Sequence, residues 1–191
     1  MADLKGKTVG VARGSSGHDL LVAAVESANL NYSEINPVYL APADGASAFS
    51  RGAIDAWSIW DPFLAIAESA QPVRRLQVAD RAAFQNAFFL ANRDFTQKYP
   101  DVVAAINDDV AKAAAYARDH LDEAAVLFAK DTGVNLDVEK TVVARTGFLV
   151  TPITGEIVAQ QQGVADRFAR INLIPASVTV ADLVWRWTPA G

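Results

Sequence analysis

The chain has 191 residues, 51% of them hydrophobic, with 17 basic and 22 acidic side chains and a net charge of −5. That is ample apolar mass for a packed core, and a mildly acidic chain without a basic cluster does not suit a nucleic-acid surface. Cysteine is absent, which excludes disulfides, thiolate catalysis and thiolate metal sites.

The opening Met1-Ala2-Asp3-Leu4-Lys5-Gly6-Lys7 holds no apolar stretch of the kind a secretory signal needs, and no apolar run in the chain is long enough to cross a bilayer. Thr8-Val9-Gly10-Val11-Ala12 then reads as a short buried strand. Gly14-Ser15-Ser16-Gly17 follows, and from His18 to Ala28 the apolar residues Leu20, Leu21, Ala24, Val25 and Ala28 fall at helical spacing. Ser15 or Ser16 supplies the N-cap, and Asn29 ends the helix.

A second strand is expected over 37–40, then a short helix over 45–51 capped by Asp44. A third strand over 54–59 ends in Trp60-Asp61-Pro62, because proline cannot donate to a sheet ladder. A short helix begins at Phe63, and fourth and fifth strands are expected over 73–78 and 87–91. Alternation of strand and helix predicts a mostly parallel sheet with helices on its faces.

Beyond residue 92 the chain is mainly helical. Asp94 caps a short turn, and Pro100 opens a long helix over about 101–118. Further helices cover 121–130, stopped near Gly133, and about 137–145, capped by Asp137. Thr154 caps a last long helix over about 155–171, on which Ile157, Val164, Phe168 and Ile171 make one apolar stripe. Residues 180–187 form a final short helix or an extended tail.

In a parallel sheet the strand ends at Gly14-Ser15-Ser16-Gly17-His18, Pro42-Ala43-Asp44 and Trp60-Asp61-Pro62 share one edge, where open α/β sheets hold ligands. The glycine-flanked serine pair opens a helix, so free backbone N–H groups, two hydroxyls and the positive helix end suit an oxyanion. The plainer use of Ser15 and Ser16 is to cap the helix. His18 could donate to the anion or face solvent. Trp57 and Trp60 point to opposite faces of the strand; Trp57 suits the core and Trp60 a ligand wall. Asp61 could orient a polar group or hold the loop through local N–H groups. The two histidines, His18 and His120, are too far apart in sequence to suggest a metal site, so no metal or cofactor is expected. Position 18 is histidine, so the turn is no nucleophile elbow, and no phosphate-binding or dinucleotide glycine motif is present.

Leu4-Lys5-Gly6-Lys7-Thr8-Val9, Gly14-Ser15-Ser16-Gly17-His18-Asp19-Leu20-Leu21, Tyr39-Leu40-Ala41-Pro42-Ala43-Asp44, Asp55-Ala56-Trp57-Ser58-Ile59-Trp60-Asp61-Pro62, Phe88-Phe89-Leu90-Ala91, Pro152-Ile153-Thr154 and Leu173-Ile174-Pro175 occur in order. Together they resemble the aliphatic-sulfonate-binding proteins of the nitrate/sulfonate/taurine group of solute-binding proteins. The resemblance implies an α/β, type II periplasmic-binding-protein-like fold: a second lobe with a mostly parallel five-stranded sheet, followed by C-terminal helices. Residues 1–92 would be the α/β core of that lobe, 93–150 its helical part, and 151–191 helices that pack on a first lobe. It implies a periplasmic protein that captures alkanesulfonates for a membrane ABC permease, with Gly14, Ser15, Ser16, Gly17, His18, Trp60 and Asp61 lining the site. Taurine-binding relatives carry an acid near the position of Ala87, so Asn86-Ala87 implies an uncharged tail.

Family members carry a further sheet-bearing segment before the Leu4-Lys5-Gly6-Lys7 motif. From this the stripe on 155–171 is expected to be bare and to invite self-association or domain swapping. Two rival readings follow from the same residues. One is an enzyme of the desulfinase kind on this scaffold, disfavoured by the absence of cysteine. The other is a fragment without a ligand that associates through exposed helices.

Overall fold

The computed structural model describes residues 1–78 and 86–189. The chain divides into two units, Met1–Gln85 with Val164–Ser177, and Asn86–Gly163 with Val178–Gly191.

In unit one, β1 (Thr8–Val11) is the middle of a parallel sheet, flanked by β2 (Asn36–Tyr39) and β3 (Ala56–Ser58) in the order β2-β1-β3. Helix α1 (Ser16–Ser27) connects β1 to β2 and α2 (Pro42–Ser50) connects β2 to β3, as parallel pairing requires. Val9 and Val11 lie on one face of β1 and pack with Leu4, Leu21, Val25 and Ile35. Gly10 faces the other way, where Ile54, Trp57 and Leu40 close over it. Trp57 lies beneath α2, close enough that a methyl group on Gly45 would meet its indole nitrogen at 2.6 Å.

The β3 strand is shorter than its apolar pattern suggests, and at its N-terminal end the reason is Asp55. Its carboxylate accepts the Thr8 N–H at 2.8 Å, so the donor a longer ladder would use is already taken. Beyond β3, α3 (Phe63–Ala70) follows a cis peptide between Asp61 and Pro62. Only three strands form among the described residues, correcting the expectation of five. Residues 73–78 pair with no strand; Leu76 tucks against the core, and Arg75 pairs with Glu68. Residues 87–91 belong to unit two, whose described residues offer no strand to pair with, and Phe89 and Leu90 stand 67% and 93% exposed. Apolar composition alone does not make a strand without a backbone partner.

Unit two is helical: α4 (Arg93–Lys98), α5 (Pro100–Asp119), α6 (Leu121–Thr132), α7 (Leu136–Arg145) and the first part of α8 (Gly155–Arg170). Gly133, at φ +72°, takes the left-handed conformation that ends α6. The core is small: Ala124, Ala125 and Val143, with Ala117 and Phe148 against them. Asn92 and Asn135 cap α4 and α7, two residues before the expected Asp94 and Asp137, whose N–H groups they accept. In the same way α2 begins at Pro42, with Asp44 inside its first turn rather than at its cap. All three acids complement the helix dipole from within the first turn. The tail after a 3-10 turn (Val180–Leu183) is extended, and Trp187 donates to Asp108 on α5 at 3.0 Å.

The end of α8 lies in unit one, against α1. Arg167 forms a bidentate pair with Asp19, with hydrogen bonds of 2.7 and 3.0 Å, and Arg170 pairs with Glu26. Ile157, Val164, Phe168 and Ile171 are half-buried, so the stripe expected to be bare is not. Phe168 sits on the His18 ring, and the two arginines fasten this stretch to α1.

Candidate ligand-binding site

Val11 lies opposite Tyr39 on one side and Ser58 on the other, so residues 12–18, 40–45 and 59–62 all leave the sheet at one edge. The chain turns from β1 into α1 through Gly14, whose φ of +73° is open to glycine and strained for other residues. Ser15 is the N-cap. Its hydroxyl accepts the His18 N–H at 3.2 Å and donates to the Ala12 carbonyl at 2.7 Å, so its one proton is committed to local structure. Ser16 is exposed, and its hydroxyl has no partner among the described residues.

The N–H groups of His18 and Asp19 both turn back to the Ser15 carbonyl, leaving those of Ser16 and Gly17 as the first-turn donors without an acceptor among the described residues. Gly17 is buried because α1 starts hard against β3: a Cβ there would lie 3.0 Å from the Ser58 carbonyl oxygen. The Ser58 hydroxyl donates to the Gly17 carbonyl at 2.7 Å, tying the third strand's end to the helix start. Two amides and one hydroxyl are thus held at the positive end of a three-turn helix, an arrangement that suits an oxyanion.

His18 neither faces solvent nor reaches an anion, which corrects the expectation for it. It is 0% exposed, and both ring nitrogens are occupied. The Gly14 N–H can only donate, so Nδ1 accepts it, at 3.1 Å, and the ring proton belongs on Nε2, which meets the Tyr32 hydroxyl at 2.8 Å. Burial, and then the positive charge of Arg13, push the imidazole below its ordinary pKa, against the opposing pull of Asp19. The Tyr32 hydroxyl is pushed well above the usual phenol range by burial and by its hydrogen bond with Tyr39. A neutral, buried histidine therefore holds the glycine turn from beneath.

Trp60 lies two residues past β3, half-buried, with Phe63 edge-on at 6.0 Å between ring centroids. Asp61 accepts the Ala65 N–H at 3.0 Å and so secures the first turn of α3, the loop-holding alternative of the two considered for it. The parallel register thus brings Gly14, Ser15, Ser16 and Gly17 to the same sheet edge as Trp60 and Asp61.

Sequence reasoning did not single out Arg13, Tyr32, Tyr39, Ser58 or Arg167 in these roles. Tyr32 and Arg167 act on His18 and Asp19 from 14 and 148 residues away, which no local pattern signals. Arg13 has its guanidinium 5.6 Å from the Tyr39 ring centroid. Concavities in unit two, around residues 118–127, are lined by Asp119, Asp122 and Glu123 together with Arg118 and His120. No cluster of three or more metal-ligating side chains occurs among the described residues.

A family model described as NMT1/THI5 like matches residues 1–124. Two curated relatives named for aliphatic-sulfonate binding, from Escherichia coli (strain K12) and Bacillus subtilis (strain 168), are 33% identical over 98% of this chain and 34% over 95% of it. The chain spans 59% and 55% of the lengths of these two relatives. Among solved structures, the periplasmic aliphatic sulphonate binding protein SsuA from Escherichia coli superposes with a TM-score of 0.90 at 32% identity, over 100% of this chain and 62% of that one. The alkanesulfonate-binding protein SsuA from Xanthomonas axonopodis pv. citri, bound to MOPS, gives 0.87 at 29% identity, over 96% of this chain and 64% of that one.

Proposed function

The chain belongs to the NMT1/THI5-like family, and on that premise we propose that it captures alkanesulfonates in the periplasm for an ABC importer. The observation that carries this reading is the pair of unoccupied amides at Ser16 and Gly17, with the unpartnered Ser16 hydroxyl, at the start of α1 on the sheet's ligand-holding edge. A sulfonate offers three acceptor oxygens and one negative charge. It takes the two N–H groups and the hydroxyl without any proton transfer, so affinity does not depend on titrating a ligand-binding residue. The aliphatic tail leaves the turn toward the Trp60 side of the edge. This is a binding function with no covalent step, in keeping with relatives named as binding proteins. The membrane partner is a permease that receives the loaded protein.

Titration with 1-hexanesulfonate, followed by tryptophan fluorescence, tests this reading. A saturable change that weakens about tenfold in Ser16→Ala, for loss of one hydrogen bond to a charged group, is the expected outcome. A folded protein whose emission stays constant up to millimolar ligand contradicts the proposal.

A further inference from the structure

The edge that carries the unoccupied amides is poor in positive charge. Of the charged side chains in residues 12–17, 40–45 and 59–62, Asp44 and Asp61 are acids and Arg13 is the cation. Asp19, in the first turn of α1, is already neutralised by Arg167. Without Arg13, an arriving anion would meet two acids and no compensating cation.

Arg13 is exposed, and no carboxylate pairs with it among the described residues. Its guanidinium is nevertheless held, over the Tyr39 ring at the end of β2. Tyr39 is placed in turn by His18, whose ring it meets edge-on at 5.5 Å. His18 bonds Tyr32 through one nitrogen and Gly14, the residue after Arg13, through the other. The contacts form a closed ring, Arg13–Tyr39–His18–Gly14, that ties the guanidinium to the turn presenting the amides. A guanidinium stacked on an aromatic face keeps its donor edge available for a planar or tetrahedral oxyanion and loses little rotational freedom on engaging it.

We propose that Arg13, pre-positioned on Tyr39 beside the α1 turn, is the charged ligand of the sulfonate head group, and that Tyr39 positions it. The inference rests on the reading of this turn as the sulfonate site. It assigns the head group's charge recognition to Arg13 and leaves the tail to Trp60.

The test compares the unaltered chain with Arg13→Gln, Arg13→Lys and Tyr39→Leu in calorimetric titrations with 1-hexanesulfonate at low and high salt. Arg13→Gln raises Kd about tenfold or more and flattens its salt dependence, because the screened charge–charge attraction is gone. Arg13→Lys recovers part of the affinity. Tyr39→Leu keeps the charge but frees the side chain, and gives an intermediate loss with the salt dependence preserved. A separate readout needs no ligand: the His18 ring, followed by NMR, titrates at higher pH in Arg13→Gln, since the nearby positive charge that disfavours its protonation has been removed. If the unaltered chain binds and Arg13→Gln matches it in Kd and salt dependence, the inference falls and the binding reading stands. If the unaltered chain does not bind, both fall.

Discussion

The two units are built from different material. In unit one Val9, Val11, Leu21, Val25 and Ile35 meet across a sheet and a helix, and a bidentate arginine–aspartate pair closes one side. Unit two packs its helices through Ala124, Ala125 and Val143, and leaves Val126 and Leu127 52% and 62% exposed. Alanine packing buries little apolar area per contact, so side-chain interlock contributes less there and helix propensity more. The lesson is where a ligand turn can be held. The anion site proposed for the α1 turn would need its backbone amides fixed to a few tenths of an ångström, and that turn belongs to the densely packed unit.

The largest effect that sharpens this contrast comes from the Asp19–Arg167 pair, in which the Asp19 side chain is 4% exposed and that of Arg167 24%. Arg167→Met leaves a buried carboxylate without its partner and costs about 3 kcal/mol in chemical denaturation. The matching loss in unit two, Lys112→Met beside Asp109, breaks a pair whose side chains are 76% and 78% exposed and leaves the transition midpoint where it was. Equal effects from the two substitutions would erase the distinction.

Next in size is Gly45→Ala. Its new methyl group would stand 2.6 Å from Nε1 and 2.9 Å from Cε2 of Trp57, a rigid ring, and the variant loses about 1–3 kcal/mol. Gly10→Ala, whose methyl group meets the flexible Cδ1 end of Ile54 at 2.5 Å, costs less. The reverse order would mean that α2 yields to the new methyl group more easily than the Ile54 side chain does.

The smallest effect is the pH dependence that His18 gives to unit one. Its imidazole is pushed down in the folded state, so the unfolded chain takes up the proton first. Stability is full above the ordinary imidazole value of about 6.5 and declines as pH falls below it. His18→Gln flattens that limb below about pH 6.5. On the alkaline side Tyr32, pushed up, adds a decline above about pH 10, where the unfolded phenol ionises first. Denaturation midpoints across this range check both limbs. A wild-type acid limb that survives unchanged in His18→Gln contradicts the account of the buried ring.

Much of unit one was legible because its signals are local. A β-branched run, then Gly14-Ser15-Ser16-Gly17 and a helical spacing, specify strand, turn and capped helix within twenty residues. Pro62 marked the end of the third strand's segment for the same reason. What stayed hidden depends on partners distant in sequence. The run at 87–91 has a strand's composition, but only a neighbouring strand could make it one. His18 looked like a donor at a helix start; Tyr32, Tyr39 and Phe168 make it a buried support. The caps moved by two residues from Asp94 and Asp137 to Asn92 and Asn135 because asparagine and aspartate are both favoured at a cap, and aspartate is also favoured just inside it.

The most direct measurement is an amide NMR titration of the full chain with 1-hexanesulfonate. The account predicts saturable shifts that are largest at the Ser16 and Gly17 amides, with α6 and α7 of unit two unmoved. Saturable shifts confined to unit two, with residues 14–18 silent, would contradict it.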